Sequence, residues 1–195
     1  MKEDVFIYPT DTVWGIGGNI HVDGMATKVN KIKGYDEVKP LSILFCNLDM
    51  LSDYFQLELF DKDWLEGLFE KQATLGLPVD SLKMNIPSEA YGGSTFVCVR
   101  VLSTPLISEL IEKAGGPVFT TSFNEKGEDP ILESSAAIKL KNKVCPNAQI
   151  IGEGIENLSG HSSTIIVYKG NNQFEVLRPG KKIEEIEKHI ALLTT

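Results

Sequence analysis

The sequence predicts an α/β layer fold. Short apolar runs alternate with helix-periodic stretches along the whole chain. Two β-rich runs near the end lie close together across a turn. No internal repeat, low-complexity linker or long Ser/Pro/Gly spacer breaks the pattern. With 195 residues, 42% apolar and 24% charged, the chain can bury a substantial core, and residues 1–195 are expected to form a single domain.

The apolar run at 5–8 reads as a strand. The stretch after it, Tyr8-Pro9-Thr10-Asp11-Thr12-Val13-Trp14-Gly15-Ile16-Gly17-Gly18, has no hydrophobic period of its own and reads as a loop. Residues 22–33 read as a helix, because Val22, Met25, Ala26, Val29 and Ile32 recur at helical spacing. The run at 41–46 reads as a buried strand. Asp61 is placed to cap a helix running to Gln72, with Leu65, Leu68 and Phe69 on one face. Residues 95–101 alternate and read as a strand. Thr104 caps the next helix and Pro105 suits its first position. Leu106, Ile107, Leu110, Ile111 and Ala114 form its buried stripe, and Gly115-Gly116-Pro117 stops it. A short strand at 118–120 feeds a polar loop, and 134–143 reads as a helix. Ile150, 163–168 and 174–177 read as strands, the last two joined by Gly170-Asn171-Asn172, which has turn chemistry. A helix at 183–190 follows. The two late strands imply some antiparallel pairing.

Composition narrows the function. No apolar run approaches the roughly 20 residues that cross a bilayer, and Met1-Lys2-Glu3-Asp4 opens no apolar leader. A cytoplasmic protein without a membrane partner is expected. Cys46, Cys98 and Cys145 are far apart, with no Cys-x-x-Cys and no Cys/His cluster, so neither a disulfide framework nor a zinc site is indicated. The net charge of −8 argues against broad adhesion to nucleic acid, though not against a local basic pocket. Indeed Lys28, Lys31, Lys33 and Lys39 crowd together while acids gather at 58–70 and 183–187. No Walker loop and no Gly-x-Gly-x-x-Gly after a strand is present, so a nucleotide site would be unconventional. No Ser/His/Asp setting suggests covalent catalysis.

Four polar elements fall at strand or helix ends. The first is the opening loop, where hydroxyls sit beside glycines that let backbone approach a small polar ligand. A plain Gly/Pro/Thr loop is the competing reading. The second is Lys31-Ile32-Lys33-Gly34-Tyr35-Asp36-Glu37-Val38-Lys39-Pro40-Leu41, whose ammonium groups could meet phosphate oxygens. Dipole complementation at a helix end accounts equally for Lys31 and Lys33, but not for Lys39. The third is Thr120-Thr121-Ser122-Phe123-Asn124, at the carboxyl end of a strand, where open α/β sheets bind ligands. The fourth pairs Ser159-Gly160-His161-Ser162-Ser163-Thr164 with Arg178-Pro179-Gly180. Taken singly, His161 reads as a loop residue and Arg178 as a surface ion-pair partner.

In order, these elements resemble the Sua5/YciO/YrdC family, the threonylcarbamoyl-AMP synthases, over roughly residues 5–180. The most specific matches are Pro9-Thr10-Asp11-Thr12-Val13-Trp14-Gly15-Ile16-Gly17, the Lys33…Lys39-Pro40-Leu41 spacing, Ser122-Phe123-Asn124, Ser163-Thr164 and Leu177-Arg178-Pro179-Gly180. The resemblance implies a twisted open mixed sheet with flanking helices and a concave cavity, as in YrdC/RibB-like folds. It implies synthesis of threonylcarbamoyl-AMP and pyrophosphate from L-threonine, bicarbonate and ATP with Mg2+. It also implies a tRNA threonylcarbamoyl-transfer complex, or tRNA itself, as partner for modification at position 37. By position, Thr10, Thr12, Arg100 and Ser163 would bind threonine. Lys33, Tyr35, Lys39, Thr74, Ser122, Asn124 and Arg178 would bind nucleotide, with Lys33, Lys39 and Arg178 carrying catalysis.

Three positions depart from the family pattern. Tyr35 stands where the family has arginine, Glu70-Lys71-Gln72-Ala73 replaces a Pro-Gly-Pro run before Thr74, and Phe123 replaces alanine. The missing arginine and the altered Ser-Phe-Asn favour a rival, a YrdC-like nucleotide- or double-stranded-RNA-binding protein without synthase activity, against which the acidic charge weighs. A carbamoyl-transfer domain like that of hydrogenase-maturation proteins is a third reading.

Overall fold

The computed structural model describes residues 4–155 and 158–193. Met1-Lys2-Glu3, read above for a leader, lies outside them. The strands are β1 (Phe6–Pro9), β2 (Trp14–Gly17), β3 (Ser42–Phe45), β4 (Ala73–Pro78), β5 (Phe96–Val101), β6 (Val118–Ser122), β7 (Gln149–Ile150), β8 (Thr164–Tyr168) and β9 (Phe174–Arg178). The helices are α1 (Met25–Ile32), α2 (Leu48–Tyr54), α3 (Lys62–Glu70), α4 (Pro105–Ala114), α5 (Ser134–Val144) and α6 (Ile183–Ala191). The strands form one mixed sheet in the order β7-β1-β2-β6-β3-β5-β4-β8-β9. β7 runs parallel to β1, β5 to β3 and β8 to β4; the other neighbours are antiparallel. No helix among the described residues is long and apolar enough to cross a membrane.

The local signals explain most elements. Thr104 caps α4 by accepting from the Ile107 amide at 3.2 Å, and Gly115 ends it in the left-handed conformation. Asp61 caps α3 through the Asp63 and Trp64 amides. That helix stops at Glu70, short of the expected Gln72, which sits at φ 62° as the chain turns into β4. α1 likewise starts at Met25 rather than Val22, after a turn through Gly24.

Three elements differ from the sequence expectation. The opening stretch is a hairpin rather than a loop, because β2 pairs with β1 on one side and β6 on the other. Gly17 permits this: a Cβ there would lie 1.5 Å from the Phe119 carbonyl oxygen. α2 is short and capped by Asn47, which accepts from the Met50 amide at 2.7 Å. β4 contains Gly76 and Pro78, so its own propensity is weak. Its central place between β5 and β8 makes it a strand.

Alternation along the strands gives each face of the sheet its task. On one face, Ile7, Ile43, Phe45, Leu75, Leu77, Val97, Val99 and Val101 join the main core, which α1, α2, α3, α5 and α6 cover. On the other, Phe6, Tyr8, Leu44 and Val118 pack against Ile107, Leu110, Ile111 and Ala114 of α4. The members of β3, β4 and β5 that alternate out of the main core include Ser42, Thr74 and Arg100. These polar side chains line a hollow instead of a second core.

Candidate functional site

The hollow has a volume of about 200 Å³. The turn between β1 and β2 brings Thr10 and Thr12, β3 brings Ser42, and β4 and β5 bring Thr74 and Arg100. β6 contributes Thr120, Thr121 and Ser122, the approach to β8 gives Ser162 and Ser163, and Arg178 ends β9. Seven of the residues given a binding role from the sequence therefore share one cavity: Thr10, Thr12, Thr74, Arg100, Ser122, Ser163 and Arg178. Lys33, Tyr35, Lys39 and Asn124 are not in its lining.

Donors and acceptors can be assigned at the threonine-rich turn. Thr10 Oγ1 donates to the Val13 carbonyl at 2.7 Å, which uses its only proton. It accepts from the amides of Thr12 and Val13. With that proton spent, the 2.8 Å bond between the two hydroxyls runs from Thr12 to Thr10, whose two lone pairs it shares with those amides. Arg100 Nη1 donates to Thr12 Oγ1 at 2.9 Å. Thr12, 2% exposed, thus has its proton spent and one lone pair left, and can only accept from a ligand.

Arg100 is 6% exposed. Its Nη2 pairs with the Asp11 carboxylate, while its Nε is buried with no hydrogen-bond partner. A buried N–H without an acceptor is costly, and a ligand oxygen would relieve it. Across the hollow, Thr74 Oγ1 and Ser163 Oγ are 2.7 Å apart. Arg178 Nη2 donates to the Ser163 carbonyl at 2.8 Å, with Nε behind it at 3.2 Å. Arg178 is exposed as a residue, yet partial withdrawal of its guanidinium from water pulls its pKa below the usual arginine value, and the nearby Arg100 charge adds to this. Among the described residues Arg178 has no carboxylate partner. The hollow thus carries an uncompensated positive charge inside an acidic protein, the setting for an anion. Gly180 makes this possible, since a Cβ there would lie 2.7 Å from both the Ser162 carbonyl and the Thr164 amide.

Lys33 and Asn124 work behind the hollow. Lys33 is 5% exposed, and its ammonium donates to the Ser122 carbonyl at 2.5 Å, Asn124 Oδ1 at 2.6 Å and the Asn124 carbonyl at 3.0 Å. All three donors are committed. Asn124 is equally engaged: its amide nitrogen donates to the carbonyls of Glu125 and Glu128, and its oxygen also accepts from Ser122. The sequence suggested a phosphate contact for Lys33; in this arrangement the side chain fastens the 122–124 loop to α1. Burial pulls the Lys33 pKa down to about 8.

Sequence reasoning assigned no role to Asp11 or Asn30. Asn30, 1% exposed on α1, binds the Lys39 carbonyl and amide at 3.0 and 3.1 Å and so fixes the loop that carries Lys39. Its signal was a polar residue four positions after Ala26 on a buried helix stripe. Asp11 was visible as a carboxylate in the opening motif, but its partner lies 89 residues away.

Comparison with known proteins places this geometry. The family model for Sua5, YciO and YrdC, described as "Telomere recombination", matches residues 1–180. A protein of Pseudoalteromonas atlantica named threonylcarbamoyl-AMP synthase is 29% identical over 133 residues, which is 67% of this chain and 70% of the relative. The crystal structure of P. abyssi Sua5 complexed with L-threonine superposes with a TM-score of 0.77 at 26% identity, covering 96% of this chain. This chain spans only 54% of that longer protein. E. coli YciO shares the fold, with a TM-score of 0.70 at 20% identity over 91% of this chain and 84% of its own.

Proposed function

The chain belongs to the Sua5/YciO/YrdC family, and from that premise we propose that it is an L-threonylcarbamoyladenylate synthase. It joins L-threonine, bicarbonate and ATP into threonylcarbamoyl-AMP and releases pyrophosphate. The observation that carries this reading is one polar hollow in which two guanidiniums face paired hydroxyls, one with an orphaned buried N–H. The crystallised P. abyssi relative, named for its L-threonine complex, supports the choice of amino acid.

Size divides the labour. About 200 Å³ is below the roughly 300–1,000 Å³ of pockets that enclose drug-sized ligands. The floor takes an amino acid, and the nucleotide lies across the rim. Arg100 Nε meets the threonine carboxylate, a task suited to a fixed guanidinium. The free lone pair of Thr12 accepts from the substrate amine and aims it, while Thr10 holds Thr12 in place. Thr74 and Ser163 line the opposite wall, and Arg178 stands by the phosphates. Tyr35 and Lys39 belong to the nucleotide rim.

The amine attacks the bicarbonate carbon, forming the new C–N bond; a proton and the hydroxyl depart as water. A carbamate oxygen then attacks the α-phosphorus and the bond to pyrophosphate breaks. Nothing covalent is asked of the protein. Its contribution is positioning, together with fixed positive charge where negative charge is redistributed. The hollow offers Mg2+ no ligand set: its lining has no carboxylate, and no group of three or more His, Cys, Asp or Glu among the described residues could hold a metal. Magnesium therefore enters as part of the MgATP substrate. The product, a carbamoyl–phosphate mixed anhydride, is an activated acyl donor suited to a transferase that modifies tRNA.

The test is incubation of the purified chain with ATP, L-threonine and 13C-bicarbonate, followed by mass spectrometry. Labelled threonylcarbamoyl-AMP with equal pyrophosphate is expected. A folded chain that retains ATP but forms no product would reject the synthase reading.

A further inference from the structure

We propose that Lys126, on the loop after β6, is a phosphate-binding residue that acts with Lys39, beside the ring of Tyr35, to grip the distal phosphates of the nucleotide. The inference rests on the nucleotide rim proposed above and adds a residue to it. Lys39 Nζ lies 4.0 Å from the centre of the Tyr35 ring, and Lys126 Nζ lies 5.6 Å from the same point. Two ammonium groups from separate loops are thus gathered on one aromatic side chain. The ring face attracts each cation, but exposed contacts of this kind are weak, and the two charges repel. An anion held by both would offset that repulsion.

The surrounding contacts leave both charges available. Among the described residues neither Lys39 nor Lys126 pairs with a carboxylate. The acid next to Lys126, Glu125, is occupied by Lys143 at 2.8 Å. Both loops are also anchored. Asn30 clamps the backbone of Lys39 from both sides, and Lys33 ties down Ser122 and Asn124 just before Lys126. The loops abut at Gly34, where a Cβ would lie 3.9 Å from Lys126 Cβ. Anchoring reduces the entropy lost when an anion is gripped.

Position selects the distal phosphates. Pro40, Leu41, Ser42 and Ser122 line the hollow; Lys39 and Lys126 are not in its lining, but Lys39 immediately precedes Pro40 and Lys126 follows Ser122 by four residues. A nucleotide whose α-phosphorus faces the hollow would extend its β- and γ-phosphates toward this pair. A tyrosine side chain has no cationic group, so Lys126 supplies from the opposite loop the second positive charge that residue 35 does not.

The experiment is calorimetric titration of the whole chain at low ionic strength with inorganic tripolyphosphate, ATP and AMP. Lys126→Ala should weaken tripolyphosphate and ATP by about 5- to 10-fold, the loss of one exposed charge-assisted contact. AMP, which lacks the distal phosphates, should change by less than about twofold. Lys126→Arg should recover most of the lost affinity, and so should Tyr35→Arg placed in the Lys126→Ala background. Equal tripolyphosphate affinity in wild type and Lys126→Ala would overturn the proposal. So would an AMP loss as large as the ATP loss, or a wild type that ignores tripolyphosphate. A chain that grips tripolyphosphate through Lys126 yet makes no threonylcarbamoyl-AMP would keep the clamp and reject the synthase. A synthase indifferent to Lys126 would do the reverse.

Discussion

Replacing Thr12 with valine removes one hydroxyl and little volume, and the structure fixes what is lost. Thr10 Oγ1 loses the bond from Thr12 but keeps its bond to the Val13 carbonyl and those from two amides, so this side costs about 1 kcal/mol. Arg100 Nη1 loses its acceptor at a residue only 6% exposed. An N–H on a charged group stranded there costs about 1.5–3 kcal/mol. The sum is about 2.5–4 kcal/mol, or roughly 5–15 °C in thermal midpoint for a chain of this size. If Thr12 also accepts from the substrate amine, kcat/KM for threonine should fall about 10- to 100-fold while ATP affinity holds within about threefold. Thr12→Ser, which restores the oxygen, should recover most of both. Urea denaturation measures the first quantity and initial rates of pyrophosphate release the second. A variant that loses the calculated stability yet keeps its threonine kcat/KM would show that Thr12 is a strut rather than a contact, and would refute its role as acceptor of the substrate amine.

Lys33 makes a pH prediction with two opposite signs. Burial lowers its pKa from the ordinary lysine value of 10.5 to about 8 in the fold. The unfolded chain therefore holds this proton more tightly, and the group's contribution to stability rises as pH climbs from about 8 to 10.5. Turnover should instead decline through pH 8, because the neutral amine has fewer protons for the 122–124 loop; a flat rate profile from pH 7 to 9.5 would show that the Lys33 anchor does not support turnover. Arg178→Gln should cut threonine-dependent pyrophosphate release by about 10- to 100-fold with less than about 1 kcal/mol of stability lost, since the residue is exposed. A drop in stability that outruns the drop in rate would mark it as structural. Gly17→Ala should lose at least about 1–3 kcal/mol, because its Cβ would overlap the Phe119 carbonyl. An unchanged melting curve would contradict the close approach of β2 to β6.

What could be read along the chain was whatever a few neighbouring residues settle among themselves. α4 was legible because its cap, its first-turn proline, its buried stripe and its terminating glycine all lie within a dozen positions. The ordered motifs at 9–17, 33–41, 122–124, 163–164 and 177–180 likewise announced their family through local spacing. β2 and β4 needed the assembled sheet, since their glycines and proline argue against strands until partners on both sides supply their hydrogen bonds. The division of the site needed it too. Thr12 meets Arg100, Thr74 meets Ser163 and Lys33 meets Ser122 across 88 or 89 residues each. A hydroxyl's role depends on which of its donors and acceptors are already used, and those uses are fixed by chain segments that come together only when the sheet is complete.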